Sequence, residues 1–209
     1  MIDPLIIIVA TNNPHKVEEI QRALRIEGVQ FVPISAVIED WISPEEDADT
    51  FEGNARIKAR AVFEATGIPT LADDSGLVVD VLGGDPGVHS SRYAGIEGDS
   101  TANNEKLLDE MRDVAEKDRS ARFTTTLILL GLDTQIPHAP AELIVTGDVE
   151  GCIGREPIGD EGFGYDPLFW PDDTPGKTMA QLSMDEKNAI SHRGNALKAM
   201  AEQLPFNRA

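Results

Sequence analysis

Four short stretches of this 209-residue chain combine side chains that could do chemistry. In Asp73-Asp74-Ser75-Gly76 two carboxylates lie between apolar segments. Burying adjacent acids is unfavourable unless they meet a cation or hydrogen-bond donors. A Mg²⁺ ion held by one or two carboxylates plus substrate phosphates would supply that partner. An Asx-capped turn is the other reading of the same residues. If the acids alternate as in a strand, only one faces a cleft. Glu45-Glu46 offers a further carboxylate, or a solvated acidic loop.

Thr11-Asn12-Asn13-Pro14-His15-Lys16 follows an apolar run and reads as loop, N-cap and first helical turn, with Asn13 as cap and Pro14 at the first helical position. Backbone N–H groups at such an end attract anions, and Lys16 adds a charge where cations are otherwise unfavourable. An ordinary capped helix with a surface lysine is the plainer alternative. The stretch is not a GxxxxGK[ST] phosphate loop. In Gly162-Phe163-Gly164-Tyr165-Asp166-Pro167 the glycines allow close backbone approach, an aromatic face can stack on a base, and Asp166 can accept from a ring N–H. Core aromatics in a structural turn would look the same. Lys187, Ser191, His192 and Arg193 concentrate donors near the C-terminus, suited to an anion or a carbonyl, or to a solvated helix face.

Regular elements must position these groups. Leu5 to Ala10 is a short, uniformly apolar run, as in a buried strand of an α/β sheet. Val17, Ile20 and Leu24 carry the following helix to Gly28. An extended segment near Val29–Ile34 comes next, then an acidic loop from Glu39 to Thr50. Phe51, Ala55, Ala59, Val62 and Phe63 mark one face of a second helix. Thr70–Ala72 and Leu77–Leu82 read as two strands flanking the paired acids, and Gly83–Gly98 as a long glycine-rich loop. A helix starts at Ser100. Ala121–Leu132 and Glu142–Ile153 are long strand candidates able to pair as an antiparallel hairpin. From Ser183 a single helix is expected, opened by a capping box with Glu186. Strands mixed with helices predict an α/β fold with a mixed sheet, in one domain over residues 1–209.

Composition narrows the partners. Eighteen Lys and Arg against 37 Asp and Glu leave a net charge of −19. That sign disfavours nucleic acid and anionic membrane surfaces, but permits a small phosphorylated ligand whose site gathers cations or a divalent metal. Cys152 is the single cysteine, so no internal disulfide is implied. The N-terminus carries Asp3 where a signal peptide would carry Lys or Arg, and no apolar stretch reaches membrane-spanning length. A cytoplasmic protein is expected.

Together and in this order, the segments ATNNPHKVEEI, FEGNARIKARA, LADDSGLVVDVLGGDPGVHSSRYAG, GDEGFGYDPLF and EKNAISHRGNAL, spanning Ala10 to Leu197, resemble the inosine triphosphate pyrophosphatase family of noncanonical purine nucleoside triphosphate pyrophosphatases. The resemblance implies an elongated two-lobed α/β fold around a mixed sheet with a substrate cleft between the lobes, a homodimer, and Mg²⁺-dependent hydrolysis of ITP, dITP and XTP to monophosphate and pyrophosphate. It implies that Thr11, Asn12, Asn13, Pro14, His15 and Lys16 grip the triphosphate. Asp74 would bind metal and accept a proton, with Glu46 (or Glu45) as second metal ligand and Ser75 touching substrate. Phe163, Gly164, Tyr165 and Asp166 would hold the base, with Lys187, His192 and Arg193 completing its pocket. Many family members have glycine where this chain has Asn12. Two rival functions are a pyrophosphatase for other modified nucleotides and a catalytically silent nucleotide-binding protein.

Overall fold

In the computed structural model, which describes residues 4–204, the strands β1 (Leu5–Val9), β2 (Val29–Pro33), β3 (Thr70–Val79), β4 (Ser120–Leu130), β5 (Glu142–Ile153) and β6 (Phe169–Pro171) form one sheet in the order β2-β1-β3-β4-β5-β6. The helices are α1 (Pro14–Ala23), α2 (Phe51–Thr66), α3 (Ser100–Glu110), α4 (Met184–Ile190) and α5 (His192–Gln203). β1 pairs in parallel with both β2 and β3, whereas β5 and β6 are antiparallel, so the sheet is mixed and the fold is α/β. The expected hairpin forms. Gly131 N–H bonds the Ala141 carbonyl at one end of β4 and β5, and Ile153 N–H bonds the Arg119 carbonyl at the other. Asp3, the residue set against a signal peptide, lies outside the described residues. Among those residues no helix is long and apolar enough to cross a membrane.

Contacts divide the chain into two compact units. The first comprises residues 1–74, 125–147 and 193–209, the second 75–124 and 148–192. In the first unit strand alternation sorts side chains onto two faces. Ile7, Val9, Leu71, Leu127 and Leu129 pack with Val17 and Ile20 of α1 and Leu197 and Met200 of α5. Ile8, Ala72, Ile128 and Leu130 pack with Ala55, Ala59 and Val62 of α2. Both sheet faces are therefore covered, which is why β1 reads as an unbroken apolar run. In the second unit Leu77, Val79, Phe123, Val149 and Ile153 pack with Leu107 and Met111. There β5 alternates buried and exposed positions, the pattern of a strand with one face in a core.

Two expectations need correction. Thr70–Ala72 and Leu77–Leu82 are not separate strands joined by a turn. β3 is continuous from Thr70 to Val79, so Asp73-Asp74-Ser75-Gly76 lies within it. The single helix expected from Ser183 is two. Ser191 adopts φ −66° and ψ 155°, an extended conformation that ends α4 before α5 begins. The capping box of Ser183 and Glu186 forms as expected. After β3 a short 3₁₀ turn at Asp80–Leu82 replaces the end of the expected strand, and Gly83–Gly98 is an ordered connection containing another at Gly87–Arg92. β6 was not anticipated from sequence; three residues are too short for a periodic signal.

Candidate active site

β3 carries the centre of the first unit. Because successive strand residues face opposite ways, Asp73 follows Leu71 toward α1 and α5, while Asp74 follows Ala72 toward α2. On the first face Lys16 Nζ lies 3.1 Å from Asp73 Oδ2. Arg193 donates to that oxygen through Nε at 3.3 Å and Nη2 at 3.0 Å, and through Nη1 to Glu19. Burial alone would raise the Asp73 pKa, but Lys16, Arg193 and Lys58 outweigh it and hold this carboxyl well below the usual range. Burial pulls the Lys16 ammonium down, and Asp73 only partly opposes that.

On the other face Lys58 of α2 sits between two acids. Its Nζ is 3.0 Å from Asp74 Oδ1 and 2.7 Å from Glu46 Oε2. Asn54, one turn earlier, donates to Asp74 Oδ2 at 3.4 Å. Burial pushes the Asp74 carboxyl up to about 6, although Lys58 and Lys16 act in the opposite sense. Burial disfavours the charged Lys58, yet Asp74, Asp73 and Glu46 prevail and raise its pKa. A buried carboxyl that titrates near neutrality beside fixed cations is suited to accepting a proton from water.

The donor set fits a hard dication. Asp74 and Glu46 already share one cation, the Lys58 ammonium, and two carboxylates with substrate phosphates are the usual protein contribution to a Mg²⁺ site. Of the two loop acids Glu46 is the one that reaches Lys58, whereas Glu45 is exposed.

At the start of α1 Asn13 is the N-cap, accepting from His15 N–H at 2.9 Å and Lys16 N–H at 3.5 Å. Thr11 Oγ1 accepts from Asn13 N–H at 3.1 Å, and Pro14 and His15 are exposed. Asn12 reaches across to the acidic loop, donating to the Trp41 carbonyl and to Ser43 Oγ. Ser75 follows Asp74 in β3 and is half-buried.

The second unit brings together a different set. Lys187 Nζ donates to Asp166 Oδ2 at 2.8 Å and lies 4.4 Å from the centre of the Phe163 ring. The same Asp166 oxygen accepts from Phe163 N–H at 2.8 Å, folding the loop back on itself. Gly162 permits this fold, for it has φ +78° and a Cβ there would stand 2.1 Å from Asp166 Oδ2. Gly164 continues the loop, its carbonyl accepting from Asn104 Nδ2 at 3.1 Å. Tyr165 is buried in the core with its hydroxyl donating to the Ser90 carbonyl, whereas Phe163 is half-buried. His192 stacks on Phe123 with ring centres 5.1 Å apart.

Arg193 opens α5, beyond the extended Ser191, and its guanidinium is buried on Asp73 and Glu19. Lys58, Asn54 and Glu19 were missed in the sequence. The available signal was Asn54 and Lys58 at i, i+4, flanking the small buried Ala55 and Ala59.

Known proteins resemble this chain over nearly its whole length. A sequence model described as the Ham1 family matches residues 7–203. A dITP/XTP pyrophosphatase of Corynebacterium glutamicum is 44% identical over 203 residues, covering 95% of this chain and 96% of the relative. A dITP/XTP pyrophosphatase of Escherichia coli strain K12 is 44% identical over 200 residues, covering 95% and 97%. Among solved structures, a HAM1 protein from Coxiella burnetii superposes with a TM-score of 0.82 at 42% identity over 95% of this chain and 97% of its own. The chain belongs to the Ham1 family.

Proposed function

We propose that this protein is a nucleoside triphosphate pyrophosphatase that hydrolyses the noncanonical purine nucleotides dITP, ITP and XTP to the monophosphate and pyrophosphate, using Mg²⁺. Among the features of the site, the one that carries this reading is Lys58 held between Asp74 and Glu46; the relatives named dITP/XTP pyrophosphatase support it independently. Asp74 and Glu46 would hold the metal, which supplies positive charge to the triphosphate when bound. Asp74 accepts a proton from the attacking water. Lys16 and the Thr11–His15 turn hold the charge of the departing pyrophosphate, and Ser75 orients substrate beside Asp74.

Phe163 stacks on the purine, the Gly164 backbone approaches it, and Asp166 accepts from a ring N–H. His192 is assigned to the same pocket, and buried Tyr165 anchors the loop. Lys187 donates to the six-position carbonyl of hypoxanthine or xanthine. Adenine presents an amino group there, so donor would face donor, and sites of this kind reject the mismatched analogue by ~10⁴ or more. A homodimer in the cytoplasm completes the proposal.

A panel of nucleotides assayed separately for pyrophosphate and orthophosphate tests the reading. The expected result is pyrophosphate from ITP, dITP and XTP, lost in excess chelator. Orthophosphate as first product, preference for modified pyrimidines, or binding without turnover would each overturn it. Light scattering at micromolar protein checks the dimer; the mass of a single chain would reject it.

A further inference from the structure

We infer that Asn54 is a positioning residue for the proposed metal site, one carboxamide that simultaneously orients Asp74 and pins the loop carrying Glu46. This inference rests on the reading of Asp74 and Glu46 as metal ligands given above. Asn54 is buried, with 1% of its surface exposed. Its Oδ1 accepts the Ala48 N–H at 3.0 Å, and its Nδ2 donates to Asp74 Oδ2 at 3.4 Å. The orientation of the amide follows from these partners. A backbone N–H must meet the oxygen and a carboxylate must meet the nitrogen. Asp74 is thus held on both oxygens, Oδ2 by Asn54 and Oδ1 by Lys58.

The loop is seated on the first turn of α2 by neighbouring contacts. Gly53 has no side chain where a Cβ would lie 2.5 Å from Ala48 Cβ, so the loop backbone rests against the helix. Thr50 caps that helix, accepting Gly53 N–H at 3.0 Å. Ala48 is two residues from Glu46, so the bond from Ala48 to Asn54 sets where the Glu46 backbone lies.

Two groups of α2 therefore hold the carboxylate pair, and they differ in one respect. Lys58 is a cation, and a dication arriving on Asp74 and Glu46 would repel it. Asn54 is neutral and keeps both bonds whichever cation is present. Groups that orient metal ligands without touching the metal change its affinity by about 10–100-fold when removed.

The test is Mg²⁺ binding to the nucleotide-free protein by titration calorimetry, for the wild type, Asp74→Asn, Asn54→Ala and Asn54→Ser. Serine keeps a polar group at the buried position but is too short to reach both partners, and stands in should the alanine variant not fold. Asp74→Asn is expected to abolish binding, and the Asn54 variants to weaken it about 10–100-fold. In a Glu46→Gln background the loss from Asn54→Ala should shrink, because one of the two ligands it positions is already gone. Unchanged Mg²⁺ affinity in Asp74→Asn overturns the metal-site reading itself. Affinity lost in Asp74→Asn but kept in folded Asn54 variants overturns the positioning role alone, as does an effect of Asn54→Ala that simply adds to Glu46→Gln.

Discussion

Asp73 and Asp74 are consecutive in β3 yet serve opposite faces of the strand, Asp73 meeting Lys16 and Arg193, Asp74 meeting Lys58 and Asn54. Their substitutions should separate stability from chemistry. Asp73→Asn removes the carboxylate facing two cations, one of them fully buried, and is expected to destabilise the fold by about 3–5 kcal/mol. Asp74→Asn keeps the shape and relieves repulsion from Glu46, so the fold should survive while turnover falls by at least ~10²-fold. Urea unfolding and steady-state kinetics on both proteins check the division; a stable, inactive Asp73→Asn protein would reverse the assignment.

Lys187 and Arg193 should behave differently toward the base. Lys187→Met removes the ammonium beside Asp166 and Phe163, and the ratio of kcat/KM for ITP over ATP is expected to shrink by roughly 10-fold or more, the value of a charged hydrogen bond of ~1.5–3 kcal/mol. Arg193→Ala should lower thermal stability and depress both substrates together, leaving the ratio unchanged. A collapsed ratio in Arg193→Ala would return that residue to base recognition.

Removing the lysine shared by two acids should make stability depend on metal. Lys58→Met leaves Asp74 and Glu46 facing each other without their cation, so melting in chelator should fall below wild type. Mg²⁺ then supplies the missing charge, and a ligand at about 100 times its Kd stabilises by ~2.7 kcal/mol. The variant should regain more stability from Mg²⁺ than it does from equal added monovalent salt. Equal recovery with both would argue against a divalent site on these carboxylates.

Gly162→Ala tests the base loop without removing a charged group. The left-handed backbone costs about 1–2 kcal/mol for a residue with a Cβ, and that atom would push against Asp166. The expected result is a raised KM for ITP with a smaller change in kcat. An unchanged KM would place the Asp166 loop outside substrate recognition.

Much of this was legible in local pattern. The apolar run of β1, the Asn13–Pro14 start of α1, the alanine-lined face of α2 and the Ser183–Glu186 capping box each rest on neighbours within a few residues, so periodicity and cap chemistry suffice. Motif order was enough to indicate the family. The partners of the charged groups were decided only by tertiary structure, because they lie far apart in the chain. Arg193 finds Asp73 across 120 positions and Glu19 across 174. The extended residue Ser191, which puts Lys187 on one helix and His192 and Arg193 on the next, was not legible in local pattern either. Likewise, the pattern Asp73-Asp74 cannot say which acid meets which cation. That follows from the continuity of β3, whose alternation sends one carboxylate to α1 and α5 and the other to α2.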